Sequence, residues 1–177
     1  MPRVLIYGFG PYMSFRENVT EKTIRTLPRM AGVRTRVFDV RFDRAMFERA
    51  LARAKPDIVI GLGQHPRARK LRLERRAHPR GDPRTGRRVT LDLPHTADTT
   101  VTYDAGDYVC NFSMWIAGGW CGKNGARFAF IHVPGGYPPR RLARYLGDCL
   151  RKSRTGAGAR SSLRAPGRSK SGRSARR

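Results

Sequence analysis

A chain of 177 residues with 39% hydrophobic side chains is long enough to bury one full core and short for two. Its 37 Lys and Arg against 13 Asp and Glu give a net charge of +24, a balance that ordinarily points to nucleic acid or another polyanion. The excess is blocky: ten basic residues and no acid lie in 151–177, which leaves +14 on the first 150 residues, and Arg67 to Arg88 carries a net +8. Neither block interleaves aromatics as a base-stacking surface does. Cys110, Cys121 and Cys149 are an odd number without a C-x-x-C pair, which argues against a disulfide framework and a zinc knuckle and fits a reducing cytoplasm. The apolar run after Met1 is far too short for a signal segment, and no stretch approaches the roughly 20 apolar residues of a membrane span. A cytoplasmic protein without a membrane segment is expected, and nothing in the sequence calls for a metal or cofactor.

Arg3-Val-Leu-Ile-Tyr, stopped by Gly8, reads as a buried strand of a parallel sheet. Gly8-x-Gly10 is not a dinucleotide fingerprint, because Met13 stands at the third glycine position and Pro11 interrupts the turn. Phe9 and Tyr12 flank Pro11 beyond a strand end, where α/β sheets hold ligands; they serve equally well as plugs for the top of the core. Asn18 or Thr20 caps a predicted helix to about Leu27, Val33 to Val40 reads as a strand, and Arg44 to Ala54 as a helix ended by Lys55-Pro56. Asp57-Ile-Val-Ile-Gly-Leu-Gly63 is the clearest strand. Strand, helix, strand, helix, strand is the order of a single α/β domain, a mostly parallel sheet flanked by helices in three layers.

Leu71 and Leu73 alternate with charged residues, as on an edge strand with one wet face, and Glu74 falls on the face opposite the leucines. Taken alone, Glu74 reads as a solvated acid among arginines. His78 to Thr100 reads as a long loop, Val101 to Tyr103 as a short strand, Phe128 to Pro134 as a last buried strand carrying His132, and Arg140 to Leu150 as a helix. The domain is expected to span 1–150. Residues 151–177 have too little apolar content to offset their ordering entropy and are expected to form a disordered basic tail.

Gly106 turns the chain from Val101–Tyr103 into a segment with Phe112, Trp115 and Ile116 at helical spacing. Cys110 therefore stands at a helix N-terminus, where unpaired N–H groups and the helix dipole favour a thiolate and offer donors to an oxyanion. The plain alternative is a small buried hydrophobe.

Gly8-Phe-Gly-Pro-Tyr12 with Asn18, Gly63-Gln64 with Glu74-Arg75, Ala105-Gly106 leading to Val109-Cys110-Asn111, and Phe130-Ile-His132-Val-Pro134 together resemble the pyroglutamyl peptidase I, or pyrrolidone-carboxylate peptidase, family. The resemblance covers about residues 3–137, with four motifs in order. It implies a cysteine exopeptidase that removes N-terminal pyroglutamate from peptides, with Cys110 as nucleophile, His132 as general acid/base and Glu74 orienting the imidazole. It further implies the Cys110 N–H and Arg84 as oxyanion donors, Phe9 and Tyr12 around the pyrrolidone ring, and Gln64 and Asn18 in substrate binding; it is compatible with a homo-oligomer. The chain departs from the family pattern at Tyr12, at Met13-Ser14, and in the 25 residues between Arg84 and Cys110, about half the family's interval. A degenerate member, or a polyanion-binding protein on the same scaffold that uses its arginine blocks and tail, is the rival reading.

Overall fold

The computed structural model of the protein describes residues 1–155. Its sheet follows from side-chain parity. Strand β1 (Val4–Phe9) is buried at every position, so both faces are covered. Val4 and Ile6 point into one apolar cluster, while Leu5, Tyr7 and Phe9 point into the other. Strands β3 (Ile58–His65) and β8 (Arg127–Pro134) divide the same way, with Ile58, Ile60, Leu62, Ala129 and Ile131 on the first face and Val59, Phe128 and Phe130 on the second.

Helices α1 (Val19–Thr26) and α4 (Pro139–Thr155) cover the first face, through Val19, Ile24, Leu142 and Leu146. Helices α2 (Arg44–Ala54) and α3 (Val109–Lys123) cover the second, through Phe47, Leu51, Met114 and Ile116. This is the expected three-layer α/β arrangement. Asn18 caps α1 by accepting from the Thr20 N–H, and Asp43 caps α2 by accepting from the Met46 N–H.

The six-stranded sheet runs β2-β1-β3-β8-β4-β7, with β2 at Val33–Phe38, β4 at Leu71–Glu74 and β7 at Thr99–Thr102. β1 is parallel to β2 and β3, and β3 to β8; β4 is antiparallel to β8 and parallel to β7. At one margin β2 exposes Arg34, Thr35 and Arg36.

Expectations for residues 71–100 are corrected. β4 is not an edge strand, because Thr99–Thr102 pairs with it on its outer side. Glu74 is 1% exposed, so the face opposite Leu71 and Leu73 is covered at that position. Within the expected loop, β5 (Arg76–Ala77) pairs with β6 (Arg87–Arg88), and Leu91 and Leu93 are buried in the core. The Leu91 N–H donates to the Phe128 carbonyl at 2.9 Å, which lays this segment along the start of β8.

Helix α4 continues past Leu150 to Thr155, so 151–155 do not belong to a tail; the rest of the expected tail lies outside the described residues. In this last turn Ser153 is buried, and its carbonyl accepts from Arg127 Nη2 at 3.1 Å. A chain ending at Leu150 is therefore expected to be less stable than one ending at Thr155 by about 1–2 kcal/mol. Urea unfolding of the two checks this, and equal midpoints would show that the last turn contributes nothing.

Candidate active site

The same parity that builds the second face also assembles a site on it. Gly63 and His65 follow Val59 and Gly61 on that face of β3, His132 follows Phe130 on β8, and Arg72 and Glu74 stand on it in β4. In the antiparallel register Arg72 is opposite His132 and Glu74 opposite Phe130, so Glu74 reaches His132 along the diagonal. Glu74 Oε1 lies 2.8 Å from His132 Nδ1, and Oε2 accepts from the Thr102 hydroxyl. With Nδ1 committed to the carboxylate, His132 presents Nε2 to the pocket.

Cys110 arrives from above, in the first turn of α3. Tyr108 occupies the N-cap without a side-chain capping bond, and the first amide paired back into the helix is Phe112 N–H to the Tyr108 carbonyl, at 3.1 Å. The N–H groups of Val109, Cys110 and Asn111 precede it, in the turn where a helix has no internal acceptors. Gly106, at φ +71, permits the entry that L side chains resist. The turn is then fixed from two sides. Tyr7 Oη lies 3.0 Å from Ser113 Oγ, whose hydroxyl donates to the Cys110 carbonyl at 2.8 Å. The Asn111 amide brackets the His78 backbone, accepting from its N–H at 3.0 Å and donating to its carbonyl at 2.9 Å.

Gly63 makes the meeting of thiol and imidazole sterically feasible. A Cβ there would lie 2.5 Å from Cys110 Sγ and 3.1 Å from His132 Cδ2, so both groups crowd one point above β3. Burial alone would lower the His132 pKa, but the charge and hydrogen bond of Cys110, followed by those of Glu74, push it up to about 9. Burial pushes the Cys121 and Cys149 thiols up to about 12; both are 0% exposed, whereas Cys110 is 8% exposed and opens into the pocket.

That pocket is a cavity of about 320 Å³, at the small end for ligand sites. It brings together Phe9, Tyr12, Asn18, Gln64, Cys110 and His132. Phe9 is also a core residue, 1% exposed and edge-on to Tyr7 and Phe47. The Asn18 amide donates to the Gly10 carbonyl at 2.9 Å while its oxygen caps α1, so it holds the 10–18 loop in place. Gln64 Oε1 accepts from the Val19 N–H at 2.8 Å, and Gln64 lines the cavity together with Tyr12. Arg84 is not brought to the pocket. It is exposed in the turn after His78, its N–H bonded to Asp82 and its carbonyl to Arg76.

Sequence reasoning missed Tyr108 and His65, which also line the cavity. Tyr108 directly precedes the helix of Cys110, and His65 follows Gly63 by one strand period; those placements were the available signals. Among the described residues no group of three or more His, Cys, Asp or Glu is placed to hold a metal, and no helix is long and apolar enough to cross a membrane. Much of the basic block is turned to structural use: Arg75 pairs with Asp92, Arg76 donates to the carbonyls of Pro83 and Arg84, Arg80 lies over Phe42 at 4.4 Å, and Arg87 lies over Trp115 at 4.0 Å.

A three-layer α/β sheet with a helix-borne thiol beside a buried histidine–carboxylate pair is an architecture of the hydrolase class. A sequence profile of the pyroglutamyl peptidase family matches residues 2–98. The pyrrolidone-carboxylate peptidase of Thermococcus litoralis is 30% identical over an alignment of 177 residues, covering 80% of each chain. The structure of a pyrrolidone carboxyl peptidase from Thermococcus litoralis superposes with a TM-score of 0.75 at 21% identity, covering 94% of this chain and 100% of that one. A mutant pyrrolidone carboxyl peptidase from Pyrococcus furiosus superposes with a TM-score of 0.65 at 25% identity, covering 82% and 86%. The chain belongs to the pyroglutamyl peptidase family. The profile match includes Glu74 and ends before Cys110 and His132.

Replacing Gly63 with alanine is expected to displace the thiol from the imidazole and lower any thiol-dependent turnover by about 100-fold, while circular dichroism stays native. Activity within a few-fold of wild type would show that Cys110 and His132 need not approach at this point.

Proposed function

We propose that the protein is a cysteine-type omega-peptidase that hydrolyses the bond between an N-terminal pyroglutamyl residue and the rest of a peptide. The observation that carries this reading is the Glu74–His132 bond of 2.8 Å beneath a thiol at a helix N-terminus, within a chain of this family.

In this reading Cys110 is the nucleophile and forms an ion pair with His132. Its sulfur adds to the pyroglutamyl carbonyl carbon, and the oxyanion is received by the backbone N–H groups of the first turn of α3, that of Cys110 foremost. With Arg84 away from the pocket, the helix N-terminus is the stronger candidate for this role. His132 gives its Nε2 proton to the leaving amine as the carbon–nitrogen bond breaks, leaving a thioester. A water then loses a proton to His132, attacks the thioester and releases pyroglutamate and the thiol. Glu74 fixes the tautomer and stabilises the imidazolium throughout.

The cavity suits the substrate class. A neutral five-membered lactam needs a small apolar slot with few polar anchors; Phe9 and Tyr12 supply apolar walls, and Gln64 the polar recognition. The domain of 1–150, extended to the end of α4, carries this site. Arg67, Arg69, Lys70 and Arg88 of the Arg67–Arg88 block remain exposed, and these are the residues the polyanion-binding alternative would use.

Hydrolysis of a fluorogenic pyroglutamyl amide is expected from the wild-type chain and absent from Cys110→Ala; equal rates in both would refute the proposal. Because His132 stays protonated to about pH 9, kcat/KM is expected to fall as pH rises through that value. Glu74→Gln removes a group that raises this pKa and should move the alkaline limb to lower pH; a pH–rate profile reads both. Limiting iodoacetamide at pH about 6.5, below the free-thiol range, should alkylate Cys110 before Cys121 and Cys149, with the preference lost in His132→Ala. Uniform slow labelling of all three would mean an unactivated thiol.

A further inference from the structure

Two buried side-chain polar atoms among the described residues lack a hydrogen bond, Arg72 Nε and His65 Nδ1. Both belong to one pair of side chains, and that pair abuts Glu74 and His132. Folded interiors leave few such atoms, and each calls for a reason.

The Arg72 guanidinium divides three ways. Nε lies 3.2 Å from Glu74 Oε1, the oxygen that also meets His132 Nδ1. Nη1 lies 2.9 Å from His65 Nε2. Nη2 donates to the Asp104 carbonyl at 2.8 Å, in the loop that leads to Cys110. A guanidinium has donors only, so His65 Nε2 must accept and the ring carries its proton on Nδ1. Burial, then the charges of His132 and Arg72, lower the His65 pKa and keep the ring neutral. An imidazole whose single lone pair is already engaged cannot act as a base. The two rings are 5.3 Å apart, edge to face, and both line the pocket; His65 meets the Arg72 guanidinium where His132 meets the Glu74 carboxylate.

We propose that Arg72 is a positioning residue for this site: it clamps the Glu74 carboxylate beside His132, withdraws His65 from proton transfer, and ties the backbone leading to Cys110 to the same point. A lysine would supply the charge without the fork that reaches three partners. The proposal rests on the peptidase reading above for its catalytic meaning, though not for its electrostatics. The charged and titratable groups facing His132 are Glu74 and Arg72 from β4, His65 from β3 and Cys110 from α3.

The test is NMR titration of the His65 and His132 rings in the full chain, together with pH–rate profiles on a pyroglutamyl amide, for wild type, Arg72→Lys and Arg72→Met. Arg72→Met removes a cation beside the imidazolium and its carboxylate, so the His132 midpoint should rise by roughly one unit, and His65 should titrate closer to its ordinary value. Turnover, kcat more than KM, should fall by about tenfold or more. Arg72→Lys should leave the His132 midpoint near that of wild type, raise that of His65, and still lose kcat because the fork is gone. Unchanged His65 and His132 midpoints in the variants would overturn the proposal whatever happens to activity. Should Arg72→Met fail to fold, the His65 midpoint in Arg72→Lys decides, and no shift there counts against the proposal. A wild-type protein that does not hydrolyse the amide would remove the peptidase reading and leave the titrations to judge Arg72.

Discussion

A carboxylate shut away from water must be compensated on every side, and Glu74, with a side chain 0% exposed, sets that demand for the whole site. Leaving one of its partners out would strand a buried charge at a cost of several kcal/mol. The partners come from three strands: His132 on β8, Thr102 on β7 and Arg72 on β4 itself. This accounts for the reversal of β4, and of β7 with it, against the four parallel strands β2, β1, β3 and β8. Running antiparallel to β8, it sets Glu74 one diagonal step below His132, and its parallel pairing with β7 delivers the Thr102 hydroxyl to the second oxygen.

From that bond the constraint passes outward. His132 is held with one nitrogen toward the acid, which leaves the other for the thiol. Gly63 removes the side chain that would separate them, and Gly61 does the same one step lower, where a Cβ would lie 2.5 Å from the Tyr7 hydroxyl. That hydroxyl, through Ser113, holds the carbonyl of Cys110. Two glycines on one face of β3 thus let the neighbouring strands and the overlying helix approach closely enough to share a hydrogen-bonded site.

The fold was largely legible because apolar runs of Val, Ile, Leu and Phe declare buried strands, and the alternation around Gly63, Glu74 and His132 declares which residues share a face. Alternation does not say whether a face is covered. Glu74 resembled a solvated acid for that reason, and its burial depends on a pairing between β4 and β7 that the local pattern does not reveal. Arg72 was likewise indistinguishable from a surface arginine, since a charge run carries no mark of which members find partners inside. Leu91 and Leu93 did alternate, but the prolines and charges around them masked a segment that packs without forming a long strand. The strand-to-helix turn at Gly106 was a local feature, and the placement of Cys110 at the head of a helix followed from it.

The margin of the sheet formed by β2 has a different significance. An outermost strand offers unpaired N–H and C=O groups to any passing chain, and an apolar one invites stacking into larger aggregates. Here the exposed positions of that strand are Arg34, Thr35 and Arg36. Two guanidinium groups on the rim would face the same two on a second copy laid alongside, and like charges in that register repel. The high arginine content that first suggested a polyanion partner thus also guards a vulnerable border of the fold, discouraging the sheet from growing by recruitment of its own kind.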